Sequence, residues 1–320
     1  MAIRQTPTMA LKDLLRTADL TPGDLTVLLD LSEELTREPH GRVDLLRHET
    51  VGCYFAKPST RTRLSFATAI TRLGATPQVL GPNDLQLGRG ETIEDTAMVM
   101  SRFLRAFVIR TFADDEVARF ARAASIPVVN ALTDGHHPCQ SLADLLTIRQ
   151  HFGSLRGLTH LYVGDGGNTA HSLAEAGALS GMHVVLACPV GYQPDPLIIA
   201  EAADLAEANG GSVTVTDTPR DGAREANIVS TDVWLSMGQD ESTKVSRYES
   251  LRPFQVNDEL MAAAAPDAVF MHCLPAHRGD EVTASVMDGA RSLVWDQAGN
   301  RLCTQQAVLV ALIDGLLTGR

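Results

Sequence analysis

The sequence predicts an α/β protein of two domains, each a parallel β-sheet flanked by helices. Short apolar segments alternate with segments of helical periodicity along nearly the whole chain, an order typical of right-handed βαβ crossovers. The chain has 320 residues, which exceeds the size of one small core and favours two domains. A glycine-flanked turn at 153–157 separates them, so we expect domains at 1–150 and 151–303.

The first domain is predicted from a continuous apolar run at 51–56, typical of a strand buried on both faces of a parallel sheet. Lys57-Pro58 ends this strand, because proline has no N–H to donate to a ladder. Ser59 and Thr60 then occupy N-cap positions ahead of apolar residues at helical spacing. The other expected strands are 76–80, 106–112 and 127–131, and the expected helices are two within 11–35, then 61–73, 92–103, 119–124 and 141–152.

A second series of strands and helices follows the turn at 153–157. The strands are expected at 158–164, 183–187, 212–216, 227–232, 268–273 and 292–295, and the helices at 168–179, 196–209, 221–226 and 304–317. In parallel sheets of this kind, ligands bind at the carboxyl ends of the strands. Polar residues that directly follow a predicted strand are therefore the candidates for function.

Composition and charge exclude several classes of protein. The net charge of −12 argues against nucleic acid as a partner, and no apolar run approaches the ~20 residues of a membrane span. The N-terminus shows neither a secretory signal nor a transit segment. The five cysteines are odd in number and form no C-x-x-C pair, so we expect no disulfide framework and a reducing, cytoplasmic location.

Two arginines at the start of the helix after the first strand indicate an anion site. Arg61 and Arg63 lie at the positive end of the helix dipole, which disfavours each cation by roughly 0.3–1 kcal/mol. A bound anion reverses that sign, and the Ser59 and Thr60 hydroxyls and free backbone N–H groups suit a phosphate dianion. The alternative is an ordinary N-cap beside two solvated arginines, and we favour the anion site over it.

The stretch Ser59-Thr60-Arg61-Thr62-Arg63 resembles the carbamoyl-phosphate signature of the aspartate/ornithine carbamoyltransferase family. Two further segments, at 108–111 and 137–140, resemble the family patterns V-I-R-T and H-P-x-Q. The resemblance implies that the phosphate is bound by Ser59, Thr60 and Arg61. It implies that the carbamoyl carbonyl oxygen is held by Thr62, Arg110 and His137, and that Gln140 orients the carbamoyl NH₂.

Three later segments concern the second substrate. Residues 164–168 resemble the family turn G-D-x-x-N, 232–238 the loop D-x-x-x-S-M-G of its ornithine-specific members, and 272–275 their H-C-L-P motif. The resemblance implies that ornithine is bound by Asn168, Asp232, Ser236 and Met237. It further places Cys273, Leu274 and Arg301 at the carbamoyl group, with Arg301 reaching it from the second domain.

The glycines within 164–167 partly match a dinucleotide-binding fingerprint. An NAD-dependent oxidoreductase is therefore a distant alternative to a carbamoyltransferase. Thr169 stands where the third glycine belongs, and the next strand ends in Cys188-Pro189 rather than in an acid for a ribose. A metal site is another alternative, since His136, His137, Cys139, His272, Cys273 and His277 could cluster. No pair of these has zinc-finger spacing, so no metal is expected.

By resemblance, the chain is expected to transfer the carbamoyl group of carbamoyl phosphate to the δ-amine of ornithine, without metal or organic cofactor. N-acylated ornithine or putrescine is the alternative acceptor, and a non-catalytic anion-binding regulator is a further alternative. The resemblance also implies a homotrimer or a multiple of one, in which Gln86 touches a neighbouring subunit's phosphate. Arg89 then takes over part of the role of a lysine that some relatives carry at position 90. The terminal helix, within 304–320, is expected to pack back on the first domain.

Overall fold

The computed structural model describes residues 10–235 and 241–320. It confirms the predicted fold class, because the chain forms two parallel sheets flanked by helices. The first sheet has the order β2-β1-β3-β4, and its strands are β1 (Thr50–Phe55), β2 (Thr76–Leu80), β3 (Ala106–Arg110) and β4 (Val128–Leu132). The second has the order β7-β6-β5-β8-β9, and its strands are β5 (Thr159–Val163), β6 (His183–Ala187), β7 (Ser212–Thr216), β8 (Ile228–Thr231) and β9 (Val269–His272).

The helices fill the connections between strands and cover both sheets. The α-helices are α1 (Pro22–Arg37), α2 (Thr60–Arg72), α3 (Ile93–Phe103), α4 (Asp114–Ala123), α5 (Pro138–Phe152), α6 (Asn168–Ser180), α7 (Pro196–Asn209), α8 (Pro219–Gly222), α9 (Lys244–Leu251), α10 (Asp258–Ala263), α11 (Ala284–Met287) and α12 (Val294–Ile313). Short 3₁₀ segments lie at Thr17–Asp19, Leu87–Arg89, Glu241–Thr243 and Arg252–Phe254. Among the described residues, no helix combines the length and the apolar character that a membrane crossing requires.

One predicted strand is wrong. Residues 292–295 look β-prone, but Ser292 forms only an isolated bridge with Phe270, and helix α12 begins at Val294. The extended pairing lasts for one step, in which the Leu293 N–H donates to the Phe270 carbonyl at 2.9 Å. The terminal helix therefore starts ten residues before its predicted start at 304 and runs without a break across the expected boundary at 303.

Smaller differences concern helix lengths. The two helices expected within 11–35 are one 3₁₀ turn and α1, and α1 begins after a capping box of Thr21 and Asp24. Helix α4 starts at Asp114, several residues earlier than predicted, with three acidic residues in its first turn that suit the helix dipole. Helices α9, α10 and α11 have no counterpart among the predicted elements.

Helix α12 joins the two halves of the molecule. It packs against α1, α2 and α5, which flank the first sheet, and its N-terminal part also contacts β9 of the second sheet. From Cys303 to Leu312 its side chains are buried almost without interruption. A side chain near the start of α12 can therefore reach the space between the two sheets.

Candidate active site

A cavity of about 560 Å³ lies where the carboxyl ends of strands from both sheets meet. Residues that follow β1, β3 and β4 form one side of it, and residues that follow β5, β8 and β9 form the other. This is the expected position for a ligand in parallel sheets. The predicted site residues that line it are Ser59, Arg61, Thr62, Arg110, His137, Asn168, Asp232, Cys273, Leu274 and Arg301.

The other predicted site residues lie elsewhere. Thr60 is exposed at the start of α2, Gln86 is exposed just before the 3₁₀ segment Leu87–Arg89, and Gln140 is buried behind Arg301. Ser236 and Met237 fall outside the described residues. Gln86 does not line the cavity of its own chain.

The N-terminus of α2 forms one end of the cavity. Ser59 is its N-cap, and the Ser59 hydroxyl accepts a hydrogen bond from the Thr62 N–H at 3.2 Å. The first turn of α2, all of it described, carries no acidic residue. Arg61 faces the cavity and donates from Nη2 to the Leu274 carbonyl at 2.7 Å, whereas Arg63 is exposed. One of the two arginines singled out in the sequence thus belongs to the site.

Two buried guanidinium groups meet at the Thr62 hydroxyl. Arg301 donates to it from Nη2 at 3.1 Å, and Arg110 donates from Nη1 at 3.4 Å. Burial and the neighbouring charge of Arg301 lower the pKa of Arg110 to about 10, and burial also lowers the pKa of Arg301. Both Nε atoms are buried and have no hydrogen-bond partner among the described residues. An anion or a polarised oxygen in the cavity would offset this concentration of positive charge.

His137 contributes a neutral imidazole to the same region. It is the N-cap of α5, it is buried, and its own backbone N–H donates to the Ser172 hydroxyl at 2.7 Å. Burial, then the charges of Arg301 and Arg110, hold the pKa of His137 well below its usual value. Because a neutral imidazole still carries one N–H, His137 can donate a hydrogen bond to a carbonyl oxygen without adding a charge.

A buried hydrogen-bonded chain, which the sequence did not reveal, supports Arg301. Arg301 donates to Gln140 Oε1 at 2.5 Å, and Gln140 Nε2 donates to Asp144 Oδ1 at 2.8 Å. Gln297 Nε2 donates to the same Asp144 oxygen at 2.7 Å, and its Oε1 accepts from the His272 N–H at 2.8 Å. Burial raises the pKa of Asp144 to about 6. The chain connects α5, α12 and the end of β9 around one carboxyl group.

Asp232 is the centre of the opposite side. Its Oδ2 accepts from the Thr169 hydroxyl at 2.9 Å, and its Oδ1 accepts from the Val233 N–H at 2.7 Å and from the Cys273 thiol at 3.0 Å. Burial, then the charge and hydrogen bond of Asp232, raise the pKa of Cys273 well above its usual value. Cys273 is therefore a protonated hydrogen-bond donor rather than a thiolate nucleophile.

One face of α6 holds the segment 133–137, which carries His137. Asn168 Nδ2 donates to the Thr133 carbonyl at 2.6 Å, His171 Nδ1 lies 2.9 Å from the Gly135 carbonyl, and Ser172 accepts from His137. Glu175 Oε1 lies 3.4 Å from His136 Nε2. The spacing of these four α6 residues, i, i+3, i+4 and i+7, places them on a single helix face. The segment after β4 is thus fixed by a helix of the second sheet.

Four charged or titratable residues line the cavity that the sequence analysis did not assign to it: Lys57, Asp134, Asp165 and His277. Lys57 is buried, forms an ion pair with Asp134 and lies 4.5 Å from the Phe112 ring centroid. Asp165 forms an ion pair with Arg247, whose Nε also donates to the Trp234 carbonyl at 2.8 Å. Lys57 could have been identified from its position two residues before Ser59, but the others depend on contacts distant in sequence.

Two groups of possible metal ligands occur among the described residues. They are Asp232, His272 and Cys273, and His277, Asp280 and Glu281. In the first group the Cys273 thiol donates to Asp232, and His272 Nδ1 accepts from the Leu274 N–H at 2.9 Å. In the second, Glu281 Oε1 accepts from the His277 N–H at 2.5 Å. Hydrogen bonds account for the geometry of these side chains, and we assign no metal to either group.

The cavity therefore offers two chemically different sides. One combines a helix N-terminus, three guanidinium groups and a neutral imidazole, which suit a phosphate and the carbonyl oxygen beside it. The other combines a carboxylate, a carboxamide and a thiol donor, which suit a substrate that carries an ammonium group. Both sides line the same cavity of about 560 Å³.

Comparison with known families finds two matches that follow one another along the chain. A family described as "Aspartate/ornithine carbamoyltransferase, carbamoyl-P binding domain" matches residues 12–150. A second, described as "Aspartate/ornithine carbamoyltransferase, Asp/Orn binding domain", matches residues 156–312. Together the two matches span nearly all of the chain, including every residue that lines the cavity.

Curated relatives and solved structures agree with these matches. The chain is 52% identical to the ornithine carbamoyltransferase of Acidothermus cellulolyticus over 296 residues, which cover 92% of this chain and 95% of the relative. It is 50% identical to that of Symbiobacterium thermophilum, covering 94% and 98%. The solved structure of the Pyrococcus furiosus ornithine carbamoyltransferase superimposes with a TM-score of 0.90 at 44% identity, covering 96% of this chain and 98% of that one.

Proposed function

The chain belongs to the aspartate/ornithine carbamoyltransferase family, and from this premise we propose that it carbamoylates the δ-amine of L-ornithine, with carbamoyl phosphate as donor and L-citrulline and phosphate as products. The observation that carries the choice of ornithine is the sign of the charge opposite the guanidinium groups. An aspartate acceptor would require cations there for its second carboxylate. Asp232 and Asn168 stand there instead, and both suit an ammonium-bearing amino acid.

The first half of the site binds and polarises carbamoyl phosphate. The phosphate is bound by Ser59, Thr60, Arg61 and the free N–H groups of α2. Thr60 takes part as the first residue of that helix. Thr62, Arg110 and His137 donate to the carbamoyl oxygen, and Arg301 approaches it from α12. Gln140, held between Arg301 and Asp144, orients the carbamoyl NH₂. The Leu274 carbonyl, which accepts from Arg61, lies beside the same group.

The second half of the site binds ornithine and directs its amine. Asp232 pairs with the α-ammonium, Asn168 with the carboxylate end, and Cys273 lies near the chain that carries the δ-amine. Ser236 and Met237 complete this set in the proposal. The neutral amine attacks the carbamoyl carbon, and a tetrahedral oxyanion forms among the donors of Arg110, His137, Thr62 and Arg301. The carbonyl then re-forms as the C–O bond to phosphate breaks, and the phosphate leaves with the proton that the amine nitrogen gives up. Orientation and electrostatics suffice, because phosphate is already a good leaving group.

The proposal extends to assembly and cellular role. We place the protein in the cytoplasm, in arginine biosynthesis, and as a homotrimer or a multiple of trimers in which Gln86 reaches a neighbouring phosphate. Support for a subunit contact comes from apolar side chains that the single chain leaves exposed on α2 and α3. They are Leu64, Met98, Val99 and Phe103, with exposed fractions of 63%, 53%, 44% and 71%. Light scattering on the purified protein measures the assembly directly.

The experiment that tests the activity is a product assay with a panel of acceptors. Purified protein and carbamoyl phosphate are incubated in turn with ornithine, N-acetylornithine, putrescine and aspartate, and the carbamoylated products are separated and quantified. We expect citrulline from ornithine, at a rate that rises with pH above neutrality because the attacking amine must be unprotonated. Carbamoyl transfer to aspartate, or no transfer to any acceptor, would contradict the proposal.

A further inference from the structure

His136 lies between carboxylates that belong to the two halves of the molecule. Its Nδ1 is 2.8 Å from Oδ1 of Asp114, at the start of α4, and its Nε2 is 3.4 Å from Oε1 of Glu175, on α6. The ring is buried, with 7% of the residue exposed, and the next residue is His137. His136 thus belongs to the segment 133–137 and contacts α6 through Glu175.

We propose that the protonated imidazole of His136 is a positioning residue, which fixes His137 toward the carbamoyl group by bridging Asp114 and Glu175. The inference rests on the proposed function only through the role of His137. His136 lies outside the residues that line the cavity, so it acts through its neighbour and not on the substrate.

The argument for a charged ring begins with hydrogen-bond capacity. A neutral imidazole has one N–H and one lone pair, so it can donate to Asp114 or to Glu175 but not to both. The imidazolium has an N–H on both nitrogens, so it can donate to Asp114 from Nδ1 and still direct a positively charged N–H toward Glu175. The 3.4 Å contact with Glu175 is an ion-pair distance rather than a short hydrogen bond, and its attraction therefore depends on the charge. When His136 loses a proton, one of its two ring nitrogens presents a lone pair to the carboxylate that it faces.

The groups that face His136 from each neighbouring element favour its charge. Burial opposes protonation, but Asp114 on α4 and Glu175 on α6 outweigh it and raise the pKa of His136 to about 9. Arg16, on the N-terminal segment, forms ion pairs with Glu175 and with Glu201 of α7, so its charge is already compensated. His171 on α6 is a further titratable neighbour, whose ring centroid lies 6.3 Å away.

His171 does not compete for the proton. Burial lowers the pKa of His171, and the charge of His136 lowers it further. Its Nδ1 faces the Gly135 carbonyl at 2.9 Å, and its Nε2 accepts from the Asp195 N–H at 2.9 Å. The second bond requires a free lone pair on Nε2, so His171 is neutral and donates to Gly135. The positive charge of this pair of histidines therefore resides on His136.

The consequence is a specific dependence of substrate affinity on pH. Since its pKa in the folded protein is raised to about 9, His136 is protonated at neutral pH and loses its proton as the pH rises through that value. The Glu175 contact then weakens, and the segment that carries His137 loses one of its four attachments to α6. Carbamoyl phosphate should bind less tightly above that pH even when no ornithine is present.

The test measures an unreactive phosphonate analogue of carbamoyl phosphate by calorimetry on the full-length protein between pH 7.5 and 9.5. We expect the dissociation constant to rise about threefold over this range, because a roughly tenfold weaker affinity of the deprotonated form is only partly reached half a pH unit above the pKa of His136. His136→Gln, which is neutral at every pH, should start near the weakened value and change less than about twofold. Arg110, with its pKa of about 10, is present in both proteins, so the difference between them isolates His136.

Two further variants keep the test decisive if His136→Gln fails to fold. Asp114→Asn leaves the imidazole in place but removes one facing charge, so the midpoint of the affinity change should move down by about one pH unit. His40→Gln alters an exposed histidine and should leave the profile unchanged. An identical profile in the parent and His136→Gln, or an unmoved midpoint in Asp114→Asn, would overturn the inference. A parent protein that never binds the analogue would instead contradict the proposed function.

Discussion

The two sides of the cavity differ in how their charges are compensated. Asp232 accepts hydrogen bonds from Thr169, the Val233 N–H and Cys273, so its carboxylate is satisfied by the protein. Arg110 and Arg301 are buried beside each other, share the Thr62 hydroxyl as an acceptor, and have lowered pKa values. The positive charges of the guanidinium side are therefore less well compensated by the protein than the carboxylate of Asp232, which accepts three hydrogen bonds.

This difference suggests how two substrates are kept in their correct places. A phosphate dianion on the Asp232 side would face a carboxylate, and an ammonium group on the guanidinium side would face three cations. Both arrangements are repulsive in a partly desolvated cavity, where charge interactions are less screened than in water. Variants that change the charge of one side should therefore affect one substrate and spare the other.

The largest expected effect is on the guanidinium side. Arg61→Ala removes a donor that we propose to bind the phosphate in both substrate and transition state, so we expect kcat/KM for carbamoyl phosphate to fall about 10²–10³-fold. Arg63→Ala is the matched control, because Arg63 lies two residues away in the same helix but is exposed. Steady-state kinetics of the two purified variants make the comparison. Equal losses in both, or near-parent rates in Arg61→Ala, would sink the assignment of the anion site.

The next effect concerns the opposite side. Asp232→Asn keeps the shape of the side chain but removes its charge, so the ammonium group loses its partner at a cost of about 2 kcal/mol, or roughly thirtyfold in ornithine KM. The KM for carbamoyl phosphate should change little, because its contacts lie on the other side. Asp217→Asn, at an exposed position, serves as the control. A parallel rise in both KM values, with a lower melting temperature, would indicate a structural role for Asp232 instead.

A smaller effect is expected at Cys273. The thiol is protonated and donates to Asp232 at 3.0 Å, so Cys273→Ala removes one hydrogen bond to a charged group. We expect ornithine binding to weaken about fivefold, which corresponds to the ~1 kcal/mol of a typical hydrogen bond. Cys273→Ser retains a donor and should recover most of the loss. If the serine variant is as impaired as the alanine variant, the hydrogen bond is not what Cys273 contributes.

The smallest expected change is in the titration of His137. Burial and the adjacent arginines hold its pKa well below the usual value, so its imidazole signals should not shift between pH 6 and pH 8. His136, one residue earlier, is held by two carboxylates and should titrate near pH 9. NMR of histidine side chains, assigned with His136→Gln and His137→Asn, separates the two. A titration midpoint of His137 between pH 6 and pH 8 would contradict the view that His137 is a neutral hydrogen-bond donor.

The two sides also differ in how well the sequence predicts them. Ser59, Arg61 and Thr62 lie in one strand–loop–helix segment, so local periodicity and capping place them correctly beside the cavity. Arg110 ends β3 and His137 follows β4, and these neighbouring parallel strands have their carboxyl ends at the same edge of the sheet. Such residues are predictable because the distance between them is set by backbone geometry.

Side-chain partners that are distant in sequence could not be predicted in this way. The Gln297–Asp144 hydrogen bond joins residues 153 positions apart, and neither residue has a local pattern that marks it. The same holds for the face of α6 that binds the segment 133–137. Arg301 was only partly predictable. The family resemblance indicated the residue, but its position depends on helix α12, which starts at Val294. Residues 292–295 were expected to form a strand instead.

In the proposed site, the guanidinium side binds carbamoyl phosphate and the Asp232 side binds the amino acid. This assignment of the two sides is tested most directly by a two-step titration of the parent protein. The phosphonate analogue is bound to saturation, and L-norvaline, which has the α-ammonium and carboxylate of ornithine but no δ-amine, is then compared with L-aspartate by calorimetry. Because the second site presents Asp232 and Asn168 rather than cations, we expect norvaline to bind the complex at least about tenfold more tightly than aspartate. Aspartate binding as tight as that of norvaline would contradict the account.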